Sequence, residues 1–185
     1  MLENHAFGLV QRLGHARPGW IPGLARFTGR MLSRAEVVDR SDRVFANERL
    51  VRFAEMEYAV PRRYAVQAVR EVRAMIERTD LRVSFPIEVR VLAADEVPLS
   101  MASGRASAFI AVHVYWKQQY ERYFREVEAI MDGFEGRPHW GKLHFQTAER
   151  LRRRYPLWDG FVAVRDRLDP ERVFGNAYLE RVLGP

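Results

Sequence analysis

Three groups of residues in this chain have the types and spacing to do chemistry, and the densest is Arg137-Pro138-His139-Trp140-Gly141-Lys142-Leu143-His144. Two imidazoles, an indole and an ammonium crowd around Gly141, whose missing side chain lets another group approach the backbone closely. A flat cofactor would suit that surface. The plainer reading is a core-edge strand with a buried Trp and solvated His and Lys on its flanks. The second group is Glu88 and Arg90, two apart, which on a strand project from one face about 7 Å apart, with Phe85, Ile87, Val89 and Val91 on the other. Such a pair can grip a polar ligand, or form only an exposed ion pair worth roughly 0 to 1 kcal/mol. The third is His113 and Tyr115, which share a strand face with Phe109 and Ala111 while Ile110, Val112 and Val114 face away. If the two strands pair with these faces in common, Glu88, Arg90, His113 and Tyr115 make one polar patch. A lone His in a strand is otherwise a hydrogen-bonded structural residue.

Other chemistries have little to stand on. His139 and His144 are spaced so that neither a helix nor a strand puts them on one side, and no Cys or nearby carboxylate completes a tetrahedral set, so no metal site is expected. Gly-x-Ser-x-Gly, a Walker-type loop and Gly-x-Gly-x-x-Gly are all missing.

The elements that must position these residues follow from periodicity. Val51 to Val60 reads as a strand, and Pro61 suits the first turn of a helix carrying Ala65, Val69, Val72 and Ile76 at helical spacing. Val83 to Ala93 alternates as a second strand, residues 95–107 form a turn-rich connection, and Ala108 to Tyr115 is a third strand. Tyr120, Phe124, Val127 and Met131 mark a second helix that ends near Gly133 and Gly136, and Trp140 to Phe145 reads as a fourth strand. The order is that of an α+β fold with a split β-α-β (ferredoxin-like) core: helices on one face of an antiparallel sheet, the other face open for function.

Beyond the core, Thr147 can cap a helix, Leu151 and Tyr155 can face inward beside a solvated Arg152-Arg153-Arg154, and Trp158, Phe161, Val164 and Leu168 define another helix. Phe174 to Leu183 is expected as a short strand or tail. Residues 1–50 read as a basic connector with two short helices on Phe7, Val10, Leu13 and on Leu24, Phe27, Met31, broken at Pro18-Gly19 and Pro22-Gly23. Residues 51–185 form the domain itself.

The 185 residues, 48% hydrophobic, suffice for one domain with a sizeable core. No cysteine is present, which excludes disulfides and suits a reducing, cytoplasmic setting. No run reaches the roughly 18 apolar residues of a membrane span, and Met1-Leu2-Glu3-Asn4-His5 lacks the form of a signal peptide. A net charge of +6 permits contact with nucleic acid, a peripheral site on an anionic membrane, or an acidic partner domain.

Six ordered motifs carry a resemblance. They are Arg137-Pro138-His139-Trp140-Gly141-Lys142-Leu143-His144, then Tyr155-Pro156-x-Trp158-Asp159-x-Phe161, Val164-Arg165-Asp166-x-Leu168-Asp169-Pro170 and Phe174-x-Asn176-x-Tyr178-Leu179, with Glu57-Tyr58-Ala59-Val60-Pro61 and Pro86-Ile87-Glu88-Val89-Arg90 upstream. Together they resemble the carboxyl-terminal part of the aldonolactone oxidases, the D-arabinono- and L-gulono-1,4-lactone oxidoreductases and, more distantly, the alditol oxidases. That resemblance implies an FAD-linked enzyme of the vanillyl-alcohol oxidase type, of which this chain is the substrate, or cap, domain. The FAD-binding domain lies outside the chain and would be its partner. The substrate would be a sugar lactone or polyol giving hydride to the flavin, with Glu88, Arg90 and Lys142 catalytic, His113 and Tyr115 on the substrate, and Lys142, His139 and Asn176 toward the cofactor. A basic domain binding single-stranded RNA on the open sheet is the main rival, opposed by Glu88 on that face and by the lack of a Lys/Arg-Gly-aromatic pattern. A non-catalytic interaction module is the third reading.

Overall fold

The computed structural model describes residues 2–31, 36, 38–44 and 50–185; of the predicted connector, the Met31 side chain and residues 32–35, 37 and 45–49 lie outside it. The strands are β1 (Phe53–Pro61), β2 (Glu88–Leu92), β3 (Ser107–Tyr115) and β4 (Arg137–Pro138), and they form one antiparallel sheet in the order β2-β3-β1-β4. β3 therefore sits between β1 and β2, which are joined through helix α4 (Ala65–Arg78); α5 (Glu121–Gly133) joins β3 to β4. The remaining helices are α1 (Leu2–Ala16), α2 (Ile21–Met31), α3 (Ser41–Val44), α6 (Ala148–Arg152), α7 (Trp158–Leu168) and α8 (Ala177–Leu183). Among the described residues, no helix is long and apolar enough to cross a membrane.

Alternation along the two central strands divides the sheet. Met56, Tyr58 and Val60 of β1 and Ala108, Ile110, Val112 and Val114 of β3 turn to the helix side. There they meet Ala68, Val72 and Met75 of α4 and Phe124, Val127 and Met131 of α5, residues at helical spacing on each helix's inner face. Each large side chain buried here contributes about 1.5–3 kcal/mol, so this layer holds the domain together. One carboxylate is buried with it: Glu128 of α5 accepts from the Tyr58 hydroxyl at 2.5 Å and the Phe145 amide at 2.8 Å. Burial, and then the Glu128 charge, push the Tyr58 hydroxyl far above its ordinary range.

A second core gathers Leu151, Tyr155, Trp158 and Val182, with Trp140 and Tyr178 packed against it. Leu151 and Tyr155 face inward as the spacing predicts, and Arg152 and Arg153 pair outward with Asp159 and Glu149. The closing segment is a helix, α8, and not a strand or tail, because Val182 and Tyr178 are drawn onto this core. In α7 only Trp158 is buried; Val164 and Leu168, predicted to share its inner face, are exposed.

Two strand boundaries also differ from expectation. β2 begins at Glu88, because Pro86 interrupts the ladder, and Phe85 crosses to the open face instead of lying with Ile87. β4 stops at Pro138, and residues 140–145 are not a strand. α1 packs at one end of the open face: Phe7 meets the edge of Phe85 at 5.1 Å, and buried Gln11 accepts from the Ser84 hydroxyl at 2.6 Å.

Candidate functional site

The open face is built in rows across the sheet. Glu88 of β2 and Glu57 of β1 both lie opposite Ala111 of β3, and Glu55 lies opposite His113. Ala111 is small, so Arg90 reaches across it from the edge strand and its guanidinium donates to Glu57 Oε1. The second oxygen of Glu57 is met from the other side by Lys142, at 2.6 Å, and the same ammonium donates to Glu55 Oε1 at 2.5 Å. Glu57 is 1% exposed, and two cations hold it there. Such a buried arrangement survives only because each charge has its counterpart.

Lys142 gets there by leaving the ladder. The His139 amide donates to Glu57 O at 2.9 Å and the Leu143 amide to Glu55 O at 3.0 Å, so the chain follows β1 on both sides of a turn spanning 139–142. Within it, the Gly141 amide donates to His139 Nδ1 at 3.1 Å and the Lys142 amide to His139 O at 3.1 Å. Trp140 is pulled out of the strand path: its indole N–H donates to Leu99 O at 2.8 Å and its ring stacks toward Tyr155 at 5.4 Å in the second core. A side chain at Gly141 would touch, among the described residues, only the His139 ring, at an ordinary 3.5 Å.

His113 lies under the Phe85 ring, stacked at 5.7 Å, with Phe53 edge-on at 5.0 Å. Its Nε2 is 3.2 Å from Glu55 Oε1 but out of line for a hydrogen bond, and neither ring nitrogen has an aligned partner among the described residues although His113 is 3% exposed. For the Glu55 carboxyl, burial is the largest single influence and works upward. The nearness of His113 and Lys142 outweighs it and holds the group at about 2. Glu55 therefore stays ionised and acts as an anchor for the ammonium. The Arg90 guanidinium is pushed up by its bond to Glu57.

The predicted patch is thus assembled in part. Arg90, Lys142 and His113 converge on the two carboxylates, and the Glu88 side chain lies in the same row with no hydrogen bond or ion pair among the described residues. Tyr115 shares the face but sits at its far end, buried, with its ring 5.8 Å from His15 of α1. His139 is half-buried at the turn, and Asn176 caps α8, its oxygen accepting the Leu179 amide at 3.0 Å. Lys142 and His144 do not share a side: His144 Nε2 lies 3.0 Å from the Tyr178 hydroxyl, and burial, then Arg181, hold its imidazole down at about 4. Arg137 is structural, buried with its guanidinium on the carbonyls of Arg154, Ser103 and Met101.

Sequence reasoning missed Glu55 and Glu57, the centre of the cluster. Two signals could have found them. In Phe53-Ala54-Glu55-Met56-Glu57-Tyr58 the charges alternate with core residues on what becomes a central strand, where unpaired carboxylates are not tolerated. And of the 30 Lys and Arg residues only Lys117 and Lys142 are lysine, so a compact ammonium stands at 142 in a chain that otherwise uses guanidinium.

With this geometry in view, the comparisons with known proteins are direct. The sequence profile of the D-arabinono-1,4-lactone oxidase family matches residues 1–182. The chain is 52% identical over 183 residues to an L-gulono-1,4-lactone dehydrogenase of Mycobacterium tuberculosis, covering 99% of this chain and 43% of that protein. It is 33% identical over 172 residues to the L-gulonolactone oxidase of Bos taurus, covering 89% and 39%, and 36% identical over 132 residues to an alditol oxidase of a Streptomyces species, covering 70% and 31%. It spans less than half the length of each of these relatives. A chain matched over nearly all its length by that profile, and sharing half its residues with one such relative, belongs to the D-arabinono-1,4-lactone oxidase family.

Proposed function

We propose that this chain is the substrate-holding part of an FAD-linked oxidoreductase that removes hydride from a CH–OH group of an aldonolactone or polyol, with the flavin bound mainly by a domain or protein outside it. One observation carries the reading: a carboxylate pair on an open sheet face, Glu57 buried and Glu55 half-buried, fixes a lysine and an arginine beside a histidine whose ring nitrogens lack aligned partners among the described residues. Unsatisfied polar atoms at that depth call for a ligand rich in hydroxyls. The names of the relatives agree, since they act on sugar lactones and alditols.

Bound FAD supplies the hydride acceptor. The chain's residues do the rest. Arg90 and Lys142 hold and polarise the reacting hydroxyl, and Glu88, without a hydrogen bond among the described residues, accepts from a neighbouring hydroxyl. Glu55, held ionised at about 2, is a poor base, so the hydroxyl proton goes to His113. Lys142 and His139 face the cofactor beside the space left at Gly141; for Asn176 only the amide nitrogen remains for such a contact, its oxygen being committed to the cap. Leu143, Val173 and Phe174, apolar and exposed, suit a surface covered by the flavin domain. A cysteine-free chain of net charge +6 fits the cytoplasm, with peripheral membrane contact through charge. An RNA-binding role is disfavoured, because Glu55, Glu57 and Glu88 would face the phosphates.

In the flavin-containing protein, Lys142→Arg keeps the charge between the carboxylates but not its compact shape, and should slow flavin reduction by about 100-fold. Glu88→Gln should lower kcat/KM by about 10-fold or more at an unchanged melting temperature. Stopped-flow absorbance reads the first and steady-state kinetics the second. Unaltered kinetics in both variants would sink the assignment.

A further inference from the structure

The turn that carries Lys142 is held at both ends by the last helix. The Tyr178 hydroxyl, in α8, donates to Trp140 O at 2.5 Å and lies 3.0 Å from His144 Nε2. Since the Gln146 amide donates to His144 Nδ1 at 3.3 Å, the imidazole proton sits on Nε2 and points at that hydroxyl. One turn further along α8, Arg181 Nη1 donates to His144 O at 3.1 Å and to Gln146 O at 2.9 Å. Lys142 lies between Trp140 and His144, so the backbone on either side of it is tied to α8 by groups that touch neither carboxylate. The helix in turn is fixed by Val182, fully buried in the second core, and by the Asn176 cap. Burial keeps His144 neutral down to about 4, so the chain of bonds keeps one polarity across the physiological range.

We propose that Tyr178 and Arg181 are positioning residues for Lys142: α8 is a brace that sets how far the 139–142 turn stands off the sheet, and hence where the ammonium rests against Glu55 and Glu57. Without the brace, the β1 backbone supplies the His139 and Leu143 amide bonds, which fix where the turn leaves and rejoins the ladder, and the Trp140 indole holds Leu99 O, but Trp140 O and the 144–146 backbone lose their tie to α8. The brace accounts for the place of α8 in the fold, and for a buried histidine that the site chemistry does not use. Its catalytic weight rests on the role proposed above for Lys142; its existence does not.

This chain contains two lysines, which makes the ammonium's state readable without activity. On the intact protein, brief acylation with an amine-reactive ester followed by peptide mass spectrometry gives the Lys142 rate relative to exposed Lys117. Tyr178→Phe with Arg181→Ala, which removes four hydrogen bonds, should raise that ratio by about 10-fold or more, with circular dichroism unchanged. Tyr178→Phe alone, which keeps the ring in the second core, should raise it about 3-fold and carries the test if the double variant unfolds. A ratio within the scatter of the parent in Tyr178→Phe overturns the brace. A raised ratio with unchanged flavin reduction keeps the brace and removes Lys142 from the chemistry, so the two readings fail separately.

Discussion

Neighbouring residues on the two faces of β1 can be equally buried and differently stabilised. Tyr58 and Glu57 are neighbours, each at most 1% exposed, yet Tyr58 enters a layer of aliphatic and aromatic contacts while Glu57 enters a set of charges. On the helix side, apart from the Tyr58–Glu128 pair, the contacts are between apolar groups, and removing one leaves a cavity but no unpaired charge. On the open side the charges are tolerable only together, and removing one exposes the cost of the rest.

Adjacent substitutions should break this comparison most sharply. Met56→Ala and Glu57→Gln are each expected to cost about 3 kcal/mol, the first by leaving a cavity and the second by leaving cations unpaired. Adding Lys142→Gln to Glu57→Gln restores charge balance and should recover at least about 1 kcal/mol, whereas it recovers nothing in Met56→Ala. Urea midpoints measure these four variants and Lys142→Gln alone; additivity in both backgrounds would show that the faces do not differ.

The faces should also fail at opposite ends of the pH scale. Glu55 is held at about 2 against an ordinary 4.5, so its contribution is present above about 4.5 and is lost as pH falls from there toward 2. Tyr58 is shifted upward, so its contribution is present below its ordinary 10 and is lost as pH climbs past it. Glu55→Gln should flatten the acid limb of a stability-against-pH curve and leave the alkaline limb, and Tyr58→Phe the reverse. Chemical denaturation at several pH values checks the pair; one variant flattening both limbs would contradict it.

The smallest effect concerns a residue that belongs to neither face. Asn176→Ala removes the α8 cap and should cost about 1 kcal/mol. If its role is the cap alone, flavin affinity will not move; a shifted flavin dissociation constant at constant stability would restore the cofactor role that family resemblance assigns it.

What could be read from sequence was whatever obeys a local period. α4, α5 and the central strands follow from apolar spacing, and the common face of Arg90 and His113 follows from alternation plus pairing. Lys142 was found by its motif, but its surroundings were not, because a turn that leaves a strand and rejoins it has no period, and Trp140 is turned by a core formed from residues 151–182. Glu55 and Glu57 were missed for a related reason. Their charges make sense only beside partners that arrive much later in the chain, and Phe174 to Leu183 becomes helical through Val182's place in the second core rather than through propensity.

The central position of β1 has a consequence for how the domain comes into being. Its partners begin at Ser107 on one side and Arg137 on the other, so no part of its ladder can close until most of the sequence is available. Long-range pairing of this kind is slow. Meanwhile Glu55 and Glu57 repel along one edge of an emerging strand whose opposite side is strongly apolar. That repulsion keeps a nascent β1 from laying its face against another copy, and Lys142 ends it when the turn arrives.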